Sequence, residues 1–389
     1  MRRWIFGSIL GVTGVLATAC TDSPDPTAPA VPETVASQSR FGGFDSARPG
    51  AVYLMSNAAG PNEVLVFQRG PDGSLTAGDP VATGGQGTGT GLGNQGALAL
   101  TKDGRWLIVV NPGSDDISVL RVTHHGLELV DRESSGGSMP ISVTVHRNLV
   151  YVLNAGEPNN ISGLRLGHDG KLRPLSGSTQ PLSGDAVGPA QIGFSPDGRV
   201  LVVTEKGTNL ITTYRVGFAG RASEPTSTPA AGETPFGFAF SRRGLLIVSE
   251  AFGGAPDAST VSSYRVGWRG SVSVVDGAVP TTETAACWIV VSKDSRFAYS
   301  TNGGSGTVSG LRIDRRGNLE LLDADGVTGD TGPGSTPLDA AFSRDGRYLY
   351  VLSSGIPEVS VFRQNHDGSL TALPSAPGLP TTANGMAAW

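Results

Sequence analysis

The stretch Ile192-Gly193-Phe194-Ser195-Pro196-Asp197-Gly198-Arg199-Val200-Leu201-Val202-Val203 decides the architecture, because the chain repeats it. It reads as an apolar strand, a polar Asp-Gly turn and a second apolar strand. It returns as Ala340-Ala341-Phe342-Ser343-Arg344-Asp345-Gly346-Arg347-Tyr348-Leu349-Tyr350-Val351, and looser copies surround Thr101, His146, Ser241 and Ser292. The anchors 101, 146, 195, 241, 292 and 343 are separated by steps of 45, 49, 46, 51 and 51. A third strand follows each copy: Ile or Val, then Ser or Thr, any residue, Leu, Tyr or Phe, then Arg. That Arg falls at 121, 165, 215, 265, 312 and 363, with Gln68 in the first copy. Next comes a turn with Gly at 73, 126, 170, 220, 270, 317 and 368, and then a short fourth strand such as Leu172-Arg173-Pro174-Leu175. Seven turn glycines mean seven units.

Four antiparallel strands per unit of about 48 residues is the signature of a β-propeller blade. The expected fold is therefore all-β, a seven-bladed β-propeller over residues 47–389. Second strands such as Leu107-Ile108-Val109-Val110 are apolar on both faces, as sheets packed between neighbouring blades must be. The first copy begins at its second strand, Val52-Tyr53-Leu54-Met55, and the chain ends on a stretch that aligns with a first strand, Asn384-Gly385-Met386-Ala387-Ala388-Trp389. The C-terminal strand is thus expected to complete the N-terminal blade and close the ring.

Composition agrees. Of 389 residues 56 are Gly and 26 Pro, with no three-residue Gly period, which excludes collagen and disfavours long helices. The formal charge of −5 without basic runs lacks the footprint of a nucleic-acid binder.

The first residues read as an address. Arg2-Arg3 precede an apolar run from Trp4 to Ala19, too short to span a bilayer, which ends Leu16-Ala17-Thr18-Ala19-Cys20. This resembles a bacterial lipoprotein processing site. It implies a signal peptide over residues 1–19, lipidation at Cys20 and export to the cell envelope, with the lipid as the sole membrane contact. Residues 20–46 are rich in Pro, Ser and Thr and read as a flexible tether.

Up-down connectivity sorts the loops onto two rims. First-to-second and third-to-fourth turns share the bottom, and longer connections share the top, where propeller ligands usually sit. All five histidines (124, 125, 146, 168 and 366) fall at bottom turns. First-strand starts bring Gln95, Ser142, Gln191, Cys287, Trp288, Asp339 and Asn384 to the top; second-strand ends bring Asn57, Asn111, Asn154, Glu205, Glu250, Asn302 and Ser353. Asn suits turns, but Glu205 and Glu250 depart from the Asn pattern in adjacent blades, for which turn chemistry gives no reason. They are candidate catalytic carboxylates, with Lys206 as the neighbouring cation; the bland reading is a pair of rim carboxylates, solvated or bonded to backbone amides. Gln191, Asn154, Asn302, Asp339 and Trp288 are candidate ligand-binding residues. Glu205, Glu250 and Asp339 with amide oxygens could hold a divalent cation such as Ca²⁺. Cys287 reads as a buried small hydrophobe rather than a nucleophile. Gly91-Leu92-Gly93-Asn94-Gln95-Gly96 matches a dinucleotide fingerprint by letter, but it precedes a strand and lacks the helix that motif needs. The run from Thr83 to Gly96 is either a lid over the channel or an ordinary blade connection.

The SPDGR-type turn, the Tyr151-Val152-Leu153-Asn154 strand end and the seven units resemble the lactonase family of propellers, which includes bacterial 6-phosphogluconolactonase and carboxymuconate lactonising enzymes. The resemblance covers residues 50–389. Pro235-Phe236-Gly237-Phe238-Ala239-Phe240, Ala286-Cys287-Trp288 and Thr204-Glu205-Lys206 look like its exported, lactonase-like branch. It implies hydrolysis of a lactone or related cyclic ester, with Glu205 or Glu250 activating water and Lys206 or Gln191 stabilising developing charge. In those relatives His and Arg precede the first strands; here the matching segments read Gly188-Pro189-Ala190-Gln191 and Pro235-Phe236-Gly237, without the cations a phosphorylated substrate calls for. The alternative is a non-catalytic propeller binding a small ligand, glycan or protein partner at its top face. A monomer is expected.

Overall fold

The computed structural model describes residues 50–389. The expected signal peptide, the Cys20 lipidation site and the whole of the tether lie outside the described residues. Within them the chain forms seven antiparallel sheets arranged in a ring. Moving outward from the axis, the fourth blade is Pro189–Phe194, Val200–Glu205, Leu210–Arg215 and Thr226–Pro229, and the other blades follow the same order. In blades 1, 3 and 6 the outer position is split into two short strands that pair with the same third strand. Among the described residues the one helical element is a 3₁₀ turn at Phe252–Gly254.

Turn chemistry explains the hairpins. At the bottom of blade 4, Asp197 Oδ1 accepts the Ser195 hydroxyl at 2.7 Å and the Arg199 amide at 3.1 Å, and the same cage recurs around Asp103, Asp294 and Asp345. The seven third-to-fourth turn glycines all take φ between 83 and 123°, a region that penalises any side chain. These carbonyls also tie blades together. Tyr151, Tyr299 and Tyr350 donate to the carbonyls of Gly220, Gly368 and Gly73 in the next blade, at 2.9, 2.7 and 3.1 Å. Thr213 and Ser263 do the same for Gly270 and Gly317.

The core lies between the sheets. Second strands are buried at every residue, from Trp106–Asn111 round to Tyr348–Ser353. Each buried Val, Leu or Ile contributes about 1.5–3 kcal/mol, so the stabilisation is spread over all seven interfaces.

The ring closes as expected. Asn384–Ala388 pairs antiparallel with Ala51–Met55, with Tyr53 opposite Ala387, which makes it the innermost strand of blade 1. The Trp389 amide donates to the Ala51 carbonyl at 2.9 Å, and the Trp389 ring lies 3.7 Å from the Arg344 guanidinium of blade 7. On the other side of the blade 1–7 joint, the buried Arg69 reaches Asp345 at 3.5 Å. Burial alone would raise the Asp345 pKa. Hydrogen bonds from Ser343 and Arg347 and the charge of Arg69 outweigh it and hold the carboxyl down at about 2.

Deleting residues 381–389 removes this strand, leaving the inner edge of blade 1 unpaired and exposing the inner flanks of blades 7 and 2. The deletion is expected to cost on the order of 5 kcal/mol, read as a large fall in melting temperature by calorimetry; an unchanged transition would refute the closure.

Candidate functional site

In blades 2, 3 and 6 the second strand ends on an Asn whose side chain bonds within its own blade. Asn111 Nδ2 donates to Asp116 at 2.7 Å and to Ser118 Oγ at 2.8 Å. Asn302 Nδ2 donates to Thr307 at 2.9 Å and to Ser309 at 2.8 Å. Asn154 reaches Ser135, Asn160 and Ser162 in the same manner. The partner hydroxyl is the Ser or Thr of the repeated third-strand pattern.

Glu205 and Glu250 occupy the same place in blades 4 and 5. Glu205 is fully buried and accepts from the Ser183 amide at 3.2 Å, the Ser183 hydroxyl, Thr208 at 2.9 Å and Thr212 at 2.6 Å. Glu250, also fully buried, accepts from the Gly232 amide at 2.9 Å, Thr260, Ser262 at 2.8 Å and Tyr264 at 3.0 Å. A Glu side chain has two oxygens and a longer stem than Asn, so each Glu ties its third strand to the loop that enters its own blade from the preceding one. Their arrangement is that of in-blade clamps, with lone pairs already engaged. Among the described residues no group of three or more His, Cys, Asp or Glu gathers closely enough for a metal. Glu205, Glu250 and Asp339 belong to three different blades and bond to separate partners, so the converging Ca²⁺ site expected from the sequence does not form.

The axial channel is lined by the inner strands. These strands carry bulges near their starts, between Pro189 and Gln191, Pro235 and Phe238, Ala286 and Trp288, and Pro337 and Ala340. A bulge re-aims the side chain that follows it. Here it brings Ser142, Gln191, Trp288 and Asp339, each four residues before its blade's anchor, to one level.

That level is filled by the chain itself. Leu92, Asn94 and Gln95, from the top connection between blades 1 and 2, are buried across the channel. Lys206 donates to the Gly93 carbonyl and lies 4.6 Å over the Phe236 ring. Trp288 Nε1 donates to the Asn94 carbonyl at 2.6 Å, and the Asn94 amide reaches the Ile141 carbonyl. Gln95 pairs through both amide atoms with the backbone of Ile289 in blade 6, at 3.0 and 3.2 Å, and its carbonyl accepts Ser142 Oγ at 2.7 Å. Gly237 leaves room for this amide, since a Cβ there would stand 2.0 Å from Gln95 Oε1. At the stem, Asn57 holds Thr88 and Thr90. The segment is thus a plug bonded to several blades. Gln191 is engaged too, strapping Phe238 of blade 5 at 3.0 and 2.6 Å. Cys287 is fully buried, and its carbonyl accepts from Ser249 at 2.8 Å.

Asp339 sits against the end of the plug, 2% exposed. Its oxygens accept the amides of Ala340 at 2.8 Å, Met386 at 3.1 Å and Gly96 at 3.4 Å. Burial pushes its pKa up to about 7 despite those donors.

The sequence pointed to Asp339, Trp288, Lys206 and Gln191 as one rim, and the structure brings Asp339, Trp288 and Lys206 onto a single segment. It missed that segment's placement. The only signal was the Gly-rich run ending at Gly96, which fits a lid, a connection or a plug equally.

A family model described as lactonase, 7-bladed beta-propeller, matches residues 44–181 and 159–252. Among solved structures, the periplasmic gluconolactonase of Pseudomonas aeruginosa is similar with 18% identity and a TM-score of 0.68, over 86% of this chain and 98% of its own. A Lactobacillus plantarum protein gives 19% identity and a TM-score of 0.69, over 87% of this chain and 98% of its own. A Bacteroides fragilis protein provisionally assigned as a 6-phosphogluconolactonase gives 18% and 0.65, over 88% and 99%. At these identities the structures establish the fold. No curated protein matches the chain in sequence.

Two outcomes are expected. Glu250→Ala strands several buried donors and should cost about 2–4 kcal/mol in denaturant unfolding. For Asp339 the folded pKa stands above the unfolded value. Its contribution to stability is therefore full below about pH 4 and is lost as pH rises through about 7. Asp339→Asn should remove that slope from stability measured across this range.

Proposed function

The chain belongs to the lactonase family of seven-bladed β-propellers, and we propose that it opens a lactone or related cyclic ester at the upper end of its axial channel. Asp339 is the observation that carries this reading: a carboxyl inside the channel whose proton affinity is set near neutrality. Ionised, it would take a proton from water attacking the ester carbonyl, and Lys206 would stabilise the tetrahedral oxyanion. The role first considered for Glu205 and Glu250 passes to Asp339, because both glutamates are engaged inside their blades. Reaction at this level requires the Leu92–Gly96 segment to lift; Gly89, with φ of 72°, precedes it, and Gly96, with φ of 82°, ends it. Export and a lipid anchor at Cys20 rest on the sequence of residues 1–20; the likeness to a protein named periplasmic agrees with them.

One observation favours the second reading, a non-catalytic propeller that binds a ligand at its top face: the plug occupies the place where a substrate would react. A panel of unphosphorylated lactones separates the two. Hydrolysis is expected to rise through about pH 7, to fall at least about 100-fold in Asp339→Asn, and to persist in Glu205→Gln. Absence of any opening above the Asp339→Asn level removes the hydrolase reading.

A further inference from the structure

The bottom face carries a sector that breaks the repeat. Third-to-fourth turns present Asp72, Asp169 and Asp367 just before the turn glycine in blades 1, 3 and 7 and His125 in blade 2, but blades 4, 5 and 6 present Ala219, Arg269 and Arg316. In the preceding position blades 4 and 5 place Phe218, fully exposed, and Trp268, 58% exposed, at the turn tips. The first-to-second turn of blade 5 likewise holds Arg243 where blades 2, 4, 6 and 7 hold the caging Asp. Arg243, Arg265, Arg315 and Arg316 line one cleft of about 280 Å³ between blades 5 and 6. Among the described residues none of the four makes an ion pair. Asp314, the carboxylate in that cleft, is committed to the amides of its own turn. Arg243 gives up the caging bonds that an Asp makes at that turn, and Phe218 and Trp268 expose apolar surface; neither serves the fold.

Gly50, the first described residue, lies on this same face. The Gly50 carbonyl accepts the Arg69 amide at the lower end of the third strand of blade 1. Beside it Trp389 packs on the Arg344 and Gly104 turns, both on the bottom rim.

We propose that the bottom sector of blades 4–6 docks on an anionic phospholipid surface, with Phe218 and Trp268 at the depth of the headgroups and the arginine cleft holding lipid phosphates. Guanidinium forks match phosphate oxygens, and an aromatic tip beside them suits the membrane–water boundary. The proposal extends the lipid-anchor reading, replacing its expectation of the lipid as sole membrane contact: Gly50 and the patch share the bottom face, and the channel mouth opens on the other. It stands on its own chemistry, so it is tested without the lipid.

The Cys20→Ala chain is floated with vesicles of phosphatidylglycerol and phosphatidylcholine, or of phosphatidylcholine alone. Binding is expected with the anionic vesicles alone, falling steeply as salt is raised. Arg243→Asp with Arg316→Asp, which restores the repeat's own residues, should reduce it about tenfold or more, and Phe218→Ser with Trp268→Ser should weaken it at unchanged melting temperature. If the Asp variant does not fold, Arg315→Gln with Arg243→Gln serves instead. Equal binding to neutral vesicles, no binding, binding retained in the arginine variant, or binding of inorganic phosphate without vesicles would each overturn the proposal. Failure of the anchor reading shows separately, as absence of a lipid mass on Cys20 in the unaltered chain.

Discussion

A sheet of four short strands whose second strand is buried on both faces cannot stand in water by itself. It must be covered on each side, and the only supply of covers is more blades. Every interface here is therefore both a consequence and a cause of its neighbours, and the series has to close on itself or leave two apolar flanks exposed. Closure falls to Asn384–Ala388 against Ala51–Met55, reinforced by Trp389 on Arg344 and by the buried Arg69 reaching Asp345. The first and last described strands thereby share one blade, so opening the ring means breaking a strand pair within a sheet.

Seven blades leave a hole on the axis, and that hole shapes the chemistry. Inner strands bulge where they face it, presenting Ser142, Gln191, Trp288 and Asp339. Water could fill such a space, but this chain fills it with a glycine-rich segment whose backbone meets the polar rim group for group: Lys206 on Gly93, Trp288 on Asn94, Ser142 on Gln95, Asp339 on Gly96. The same dryness that lets the plug bond well raises the Asp339 pKa. Order in the channel and the raised proton affinity of its carboxyl have one origin.

Departures from a repeat are signals, but of two kinds. Glu205 and Glu250 break the Asn pattern, yet the structure gives each a full set of partners in its own blade and adjoining loop, so the departure is a variant clamp. The clue was already in the chain, since the repeated Ser or Thr of each third strand is the partner. Arg243, Arg269 and Arg316 break the Asp pattern and gain no carboxylate partner in return. Arg243 also costs its turn the caging bonds kept in the other blades, and a charge placed at such a cost points outward.

What the sequence by itself determined is whatever repeats. Strand periodicity, Asp-Gly turns and the seven glycines are local chemistry, and local chemistry multiplied seven times left one architecture, one blade count and one way to close. The anchor-minus-four positions of the rim were legible for the same reason. What occupies the channel was decided only in the tertiary structure. The plug is a single, non-repeating segment, and its partners on Lys206, Trp288 and Asp339 lie far along the chain, on blades 4, 6 and 7. No pattern in Gly91–Gly96 encodes them, because they exist only once the ring has drawn those blades around one axis.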